Sequence, residues 1–489
     1  MRTSGILLHI SSLPSPYGIG TLGKEAYEFV DFLVESGQSI WQILPIGPTS
    51  YGDSPYASPS SFAFNPYFID FDLLVKDKLL LKTELPAKDE GMKVNYGKVY
   101  YEKYYVLHKA YLRKDRYQKQ FDRFKKANAE WLDDYARFMV LKNEHENRPW
   151  NKWYDDFRYK VDHAMEWFDN EYDTQIDEYK FYQFLFVKQW KKLKKYANEK
   201  GIKIMGDMPI YCAYDSCDVW SNPNYFQLDD RLEPTFVAGC PPDQFSEGGQ
   251  LWGNPLYNYE VMEKDNYSWW VKRIKHSLKM FDILRIDHFR GFAGYFSIPY
   301  GDLDARGGHW VEGPGYKLFK AVKMKCRKAN IVAENLGHLT PDVFELLKKC
   351  KYPGMNIAQF ELNGGNNSHP ILGNYPTNNI MYTGTHDNQT IISFYHSLNE
   401  ADRKLIDEAC NIGFMDRPEL KIVEFCMNKN CDYCIVPLQD YLGLPDDIAR
   451  MNTPSTASGN WGYRCRKMNF TPELAKFIKE LTIKSNRIN

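Results

Sequence analysis

Four carboxylates stand at or just past the ends of short apolar runs. Asp287 follows L-R-I (284–286) and is itself followed by H-F-R-G. Glu334 follows V-A (332–333) and precedes N-L-G. Asp387 lies in Y-T-G-T-H-D-N (382–388), and Asp207 in G-D-M-P (206–209). Asp287 and Glu334 are 47 residues apart, and Glu334 and Asp387 are 53 apart. Those gaps suit one and two strand–helix units, so all three can meet at one mouth. Gathered carboxylates repel one another and lose hydration, so a fold holds them together only at a cost. Glycosidic chemistry uses such a cluster: one carboxylate attacks the anomeric carbon and a second protonates the leaving oxygen. Any one of them alone could equally be a strand-end cap or an ion-pair partner, as Arg285 is placed to be for Asp287. Three in register point instead to a site.

The elements that would position them are short runs, apolar and β-rich, of the kind that parallel strands buried on both faces produce. Eight are found: Gly5–Ile10, Ile40–Leu44, Lys203–Met208, Phe281–Ile286, Asn330–Ala333, Met355–Phe360, Asn379–Thr383 and Tyr433–Pro437. Helical patterns separate many of them. Phe186, Trp190, Leu193 and Ala197 share one helical face, and Gly201 stops that helix just before the third run. Eight strands with intervening helices predict an α/β fold, a (β/α)8 TIM barrel with its site at the C-terminal strand ends. The second and third runs are about 160 residues apart, more than one crossover helix needs. Residues 73–178 are therefore expected to form a mostly helical insertion. The first part of the barrel is then 1–72 and the remainder 179–489. Within that remainder 211–266, rich in Pro, Gly, Asn and aromatics, reads as a long ordered loop subdomain over the site. The run 101–146 lacks Pro and Gly but has poor heptads, so it is not read as a coiled coil.

Composition narrows the class. The 489 residues carry 62 Lys+Arg against 63 Asp+Glu, so no net field draws a polyanion and nucleic acid is excluded as a partner. The opening apolar run, G-I-L-L-H-I, is too short for a signal peptide or a membrane span, and the chain is expected to be cytoplasmic. Of ten Cys, Cys426, Cys431 and Cys434 cluster, but a zinc site normally needs a second nearby pair. They are read as buried or incidental thiols. The 35 Tyr and 12 Trp suit either sugar stacking or a large core, and composition does not choose between them.

The motifs, taken together, resemble the amylomaltases, the 4-α-glucanotransferases related to α-amylases. R-I-D-H-F-R-G, A-E-N-L-G and T-G-T-H-D-N carry the likeness. So do L-H-I-S-S-L-P-S-P-Y-G-I-G (8–20), L-P-I-G-P-T (44–49), Y-G-D-S-P-Y-A-S-P-S-S-F-A-F-N-P (51–66) and G-D-M-P-I-Y (206–211). P-P-D-Q-F-S-E-G-G-Q-L-W-G-N-P (241–255) and M-N-T-P-S-T-A-S-G-N-W-G-Y-R (451–464) complete the set. Coverage is weakest in the 73–178 insertion. The resemblance implies Asp287 as nucleophile, Glu334 as general acid/base, and Asp387 as the carboxylate gripping the hydroxyls of the distorted sugar. It further implies Arg285 holding Asp287 ionised, His288 and His386 bonding the sugar at the cleavage point, and Asp207 supporting the same site. Tyr56 would stack on a sugar. The covering loop would offer Asp243, Phe245, Gln250 and Trp252. Gln244 stands where some relatives have an aromatic, so one stacking contact is missing there. Asn460 and Trp461 would close the far side of the cleft. Phe245, Trp252 and Trp461 could each serve packing instead.

The implied partners are maltooligosaccharides or starch- and glycogen-derived glucans as donors, with glucose or a glucan 4-hydroxyl as acceptor. No cofactor or metal is implied. Two rivals keep the barrel: an α-amylase-like hydrolase with the same carboxylates, and an inactive glucan-binding protein. The 241–255 loop argues against the first, and the intact carboxylates against the second. A phosphate-using barrel aldolase would want a strand-end Lys, which is not seen.

Overall fold

A computed structural model describes residues 2–50, 52–242, 246–337, 339–362, 377–456 and 458–488. All eight expected strands are present. They are β1 (Thr3–Leu7), β2 (Ile40–Gln42), β3 (Lys203–Met208), β6 (Ile283–Ile286), β9 (Ile331–Ala333), β10 (Gly354–Ile357), β11 (Asn379–Tyr382) and β12 (Tyr433–Pro437), the numbers between belonging to strands given below. They form one parallel sheet in the order β10-β11-β12-β1-β2-β3-β6-β9. The sheet closes where β9 meets β10, but not by a ladder. One backbone bond, Ala333 N–H to Pro353 O at 2.9 Å, and one side-chain bond, Met355 N–H to Asn335 Oδ1 at 2.7 Å, join the two. A Cβ on Gly354 would stand 2.7 Å from that Asn335 oxygen, so glycine is what leaves room for the joint.

Burial on both faces explains the near-continuous apolar character of the strands. Gly206 in β3 is a close approach: a Cβ there would lie 2.3 Å from the Phe281 ring. Outside the barrel, helix Lys24–Glu35 lays Phe29 edge-on against Trp41 of β2, ring centroids 5.1 Å apart. The buried Trp41 and Trp190 indoles each donate to a backbone carbonyl, of Leu8 and Met280, so their burial leaves no orphan donor.

The expected sixth strand is shorter than its apolar pattern. The sequence predicts strand over Met355–Phe360, but pairing ends at Ile357 and the chain turns helical over Ala358–Leu362. An apolar run of this length fits a strand or a buried helix equally well, and here it serves as both.

Between β2 and β3 the chain is mostly helical: Phe71–Lys76, Tyr96–Tyr111, Gln118–Glu144, Asp162–Glu171 and Asp173–Glu199. The Pro- and Gly-free run breaks at Leu112–Tyr117 rather than forming one helix. The last helix carries the expected apolar face and ends before Gly201, whose φ is +81°. Within this segment Lys103 is buried. Its Nζ donates to Ile69 O at 3.0 Å and lies 4.1 Å from the centre of the Phe71 ring.

A second sheet was not anticipated. β4 (Phe236–Cys240), β5 (Gln250–Pro255), β7 (Gly294–Pro299) and β8 (His309–Glu312) pair antiparallel in the order β5-β4-β7-β8. Val237, Phe296, Ile298 and Ala305 form its small core. Part of the 241–255 stretch, read as loop, is therefore strand β5. Near the C-terminal end, the Arg487 guanidinium is wholly buried. It donates to Met427 O, Lys429 O, Cys431 O and Thr3 O at 2.7–3.1 Å. Among the described residues no helix is long and apolar enough to cross a membrane.

Candidate active site

β3 and β6 lie side by side with Asp207 opposite Arg285. Parallel neighbours in register point to the same face, which here is the barrel interior. Arg285 Nη1 donates to both Asp207 oxygens, at 2.7 and 2.6 Å, and to Asp287 Oδ1 at 2.9 Å. One buried cation thus serves two anions. Arg285 loses hydration through burial, but Asp207 and Asp287 outweigh that loss and hold its proton more firmly than usual. Asp287 is driven the other way from an ordinary carboxylate: burial raises its affinity for a proton, Arg285 opposes, and Asp207, Glu334 and Asp387 add repulsion.

Glu334 follows β9, with its own N–H bonded to Ile286 O at 2.9 Å. Both carboxylate oxygens are pinned by backbone. Oε2 accepts from His288 N–H and Oε1 from Leu336 N–H, each at 2.6 Å. The first contact depends on His288 adopting left-handed geometry, φ +47° and ψ +48°. A non-glycine residue held there carries a small strain, typical of functional sites.

On the opposite wall, Tyr56 stacks on His386, centroids 4.7 Å apart and planes within 15°. Its hydroxyl donates to Asp207 Oδ2 at 2.7 Å and lies 3.3 Å from His386 Nδ1. Trp461 packs 5.8 Å from both rings, at φ +62°. His386 Nε2 is 3.4 Å from Asp387 Oδ2. Burial lowers the proton affinity of both His288 and His386 below that of free imidazole. Both rings are therefore neutral near pH 7, each able to donate one hydrogen bond and accept another.

Asp387 is half-exposed, whereas Asp207 and Glu334 are buried and Asp287 is partly so. Asn452 Nδ2 donates to its Oδ1 at 2.6 Å, and Arg450 Nη2 approaches its backbone O at 3.4 Å. Trp252 of β5 stands edge-on to His288, centroids 4.8 Å apart, and its indole N–H donates to Gln250 Oε1 at 3.0 Å. Asn460 instead braces its own loop, accepting from Thr453 N–H at 2.9 Å and donating to Thr456 O at 3.1 Å. Asp243 and Phe245 lie outside the described residues. Thus Asp207, Arg285, Asp287, His288, Glu334, His386, Asp387, Tyr56, Trp252 and Trp461 line one mouth. Asn452, Arg450 and Tyr211, which packs 6.1 Å from Trp252, were not singled out from sequence. Asn452 sits in the motif 451–464, yet nothing in its spacing aims it at a residue 65 positions away. Cys426, Cys431 and Cys434 are fully buried, and burial raises each thiol above its usual proton affinity. Among the described residues no three His, Cys, Asp or Glu side chains are grouped to hold a metal ion.

Fold and site define a (β/α)8 barrel enzyme with a carboxylate cluster at the C-terminal strand ends. The family model described as 4-alpha-glucanotransferase matches residues 8–469. The chain is 46% identical over 484 residues to the 4-alpha-glucanotransferase of Clostridium butyricum, covering 97% of this chain and 99% of that one. It is 39% identical over 499 residues to that of Thermus thermophilus, covering 100% and 99%. The solved amylomaltase from Streptococcus agalactiae, in complex with acarbose, superposes with a TM-score of 0.96 at 38% identity over 100% of both chains. The chain belongs to the 4-alpha-glucanotransferase family. It is a glycosyltransferase acting on α-1,4-glucans.

Proposed function

We propose that the chain transfers α-1,4-glucan segments by a retaining double displacement. Asp287 attacks the anomeric carbon while Glu334 gives its proton to the departing glycosidic oxygen, so the C–O bond to the leaving glucan breaks as an ester to Asp287 forms. Glu334, now a carboxylate, takes the proton from an incoming sugar 4-hydroxyl. That oxygen displaces Asp287 and restores the α-configuration. Asp387 binds hydroxyls of the distorted ring, and the neutral His288 and His386 share that task. Tyr56 and Trp461 give the sugar an aromatic wall.

The observation that carries this reading is the pairing of adjacent strands. β6 delivers a carboxylate bonded to a buried arginine, and β9 delivers one fixed through both oxygens by backbone amides. In this reading Arg285, opposing the effect of burial, favours the attacking carboxylate of Asp287, and the backbone amides fix where the Glu334 carboxyl stands for proton transfer. The retaining route requires the two carboxyl groups about 5–5.5 Å apart. Maltooligosaccharides or starch- and glycogen-type glucans are the donors, and glucose or a glucan end is the acceptor. The acarbose complex of the Streptococcus agalactiae relative supports a glucan-shaped cleft. Trp252, edge-on to His288, is the feature assigned to favouring a sugar acceptor over water.

Maltotriose alone is the test substrate. The expected products are glucose together with a ladder of longer oligosaccharides; shortening without lengthening would mean a hydrolase. With Glu334→Gln and maltotriosyl fluoride, whose fluoride leaves without a proton, mass spectrometry should find a glycosyl group on the Asp287 peptide. Its appearance elsewhere would reject Asp287 as nucleophile.

A further inference from the structure

We propose that Asp440 is a positioning residue for Asp387, holding both ends of the loop that carries it; the inference rests on the role given to Asp387 above. Asp440 lies just past the last barrel strand, β12, and is almost wholly buried. Its Oδ2 accepts from the Thr383 hydroxyl at 2.5 Å, and its Oδ1 accepts from Ile391 N–H at 2.8 Å. Thr383 is the first residue after β11, and Ile391 opens the helix Ile391–Ser397. His386 and Asp387 lie between them. A single rigid carboxylate therefore fixes where the loop leaves the barrel and where it re-enters helix.

The same segment reaches the loop again. Asp446 Oδ1 accepts from Thr390 N–H at 2.7 Å, and its Oδ2 accepts from Arg450 Nη1 at 3.0 Å. Arg450 and Asn452 then contact Asp387 itself. Inside the loop, Asn388 Oδ1 accepts from both the N–H and the hydroxyl of Thr385, at 2.8 and 2.9 Å. This frame is needed because Asp387 is the one carboxylate of the cluster that projects, half-exposed, from a loop rather than from a strand end. A mispositioning of about 1 Å at a reacting centre costs on the order of a hundredfold in rate.

Keeping a carboxyl here is expensive. Burial pushes Asp440 up to about 7, against the help of its bonds to Ile391 and Thr383, and Asp446 and Glu419 repel it. An apolar residue would avoid that cost but would supply neither acceptor. What the position requires is two polar atoms in one plane, one accepting from Ile391 N–H and one bonded to the Thr383 hydroxyl, which can donate or accept.

The test is a double-mutant cycle on transfer from maltotriosyl fluoride to maltose, with folding checked by thermal midpoint. Asp440→Ala should lower kcat about 30-fold with KM moved less than about threefold, because the lost contact matters most in the distorted sugar. In an Asp387→Asn background the same change should cost less than about threefold, since the group being positioned is already impaired. Asp440→Asn can still accept from Ile391 N–H and can donate to Thr383 Oγ1, so it should recover most of the kcat. Equal losses in the two backgrounds, or an unchanged kcat in Asp440→Ala, would overturn the positioning role while leaving the transferase reading intact. Full kcat in Asp387→Asn alone would instead remove the role of Asp387, and this proposal with it. If Asp440→Ala does not fold, Thr383→Val removes one arm of the clamp and carries the same cycle with the same criteria.

Discussion

Arg285 shows how much one side chain can organise. It shares a single buried guanidinium nitrogen between Asp207 and Asp287, and Tyr56 completes the set by donating to Asp207. Tyr56 therefore has two separable parts, a ring stacked on His386 and a hydroxyl feeding the carboxylate pair. Tyr56→Phe keeps the ring and leaves Asp207 short of a donor. It should cost about 1–3 kcal/mol in kcat/KM, roughly five- to 150-fold, whereas Tyr56→Ala should also raise KM. Steady-state kinetics on maltotriose separates the two effects. At this scale the sequence was highly legible, because Asp207, Asp287 and Glu334 each stand at a strand end whose apolar run announces it, and Asp387 follows such a run within five residues. Asn452 and Asp440 were not legible. Their hydrogen bonds cross dozens of residues and follow no period, so only coordinates bring donor and acceptor together.

The elements divide along the same line. The barrel strands could be found because burial on both faces writes a continuous apolar run. The antiparallel sheet was missed because its strands are short, partly exposed and split between two stretches separated by β6, so neither half reads as a sheet alone. Between β2 and β3 the helical periodicity was visible, but Lys103 was not visible as a buried residue. Burial lowers its amine to about 7, against attraction from Asp70. Its folded value is thus depressed below that of the unfolded chain, near 10.4. Between those values the unfolded state binds more protons, so this lysine penalises folding fully below pH 7 and progressively less as pH rises towards 10. Lys103→Met should accordingly be the more stable protein at pH 6, by on the order of 2 kcal/mol once the lost bond to Ile69 is subtracted. That advantage should shrink by pH 9.5. Urea titrations at the two pH values measure it, and a gap that widens with pH would refute the account.

Across the whole molecule, distant parts of the chain are tied by a few buried polar groups. Arg487 joins the first strand to the helix and loop before β12 through four carbonyls, in a planar fork that a lysine cannot reproduce. Arg487→Ala leaves those buried acceptors short of donors and should destabilise by about 3 kcal/mol. Arg487→Lys should recover only part of this, and denaturant midpoints give both values. The joint between β9 and β10 has a different consequence. Every other junction around the barrel is a laddered seam among the described residues, while this one is stitched by a backbone bond and the Asn335 amide. Mechanically the barrel is a hoop with a single staple, and a hoop under tension parts at its staple. Glu334 stands on the lip of that split. Its carboxylate is nevertheless held from the stiff side, by the His288 N–H just past β6 and by its own N–H to Ile286 O, so the ring can give at the staple without parting Glu334 from Asp287.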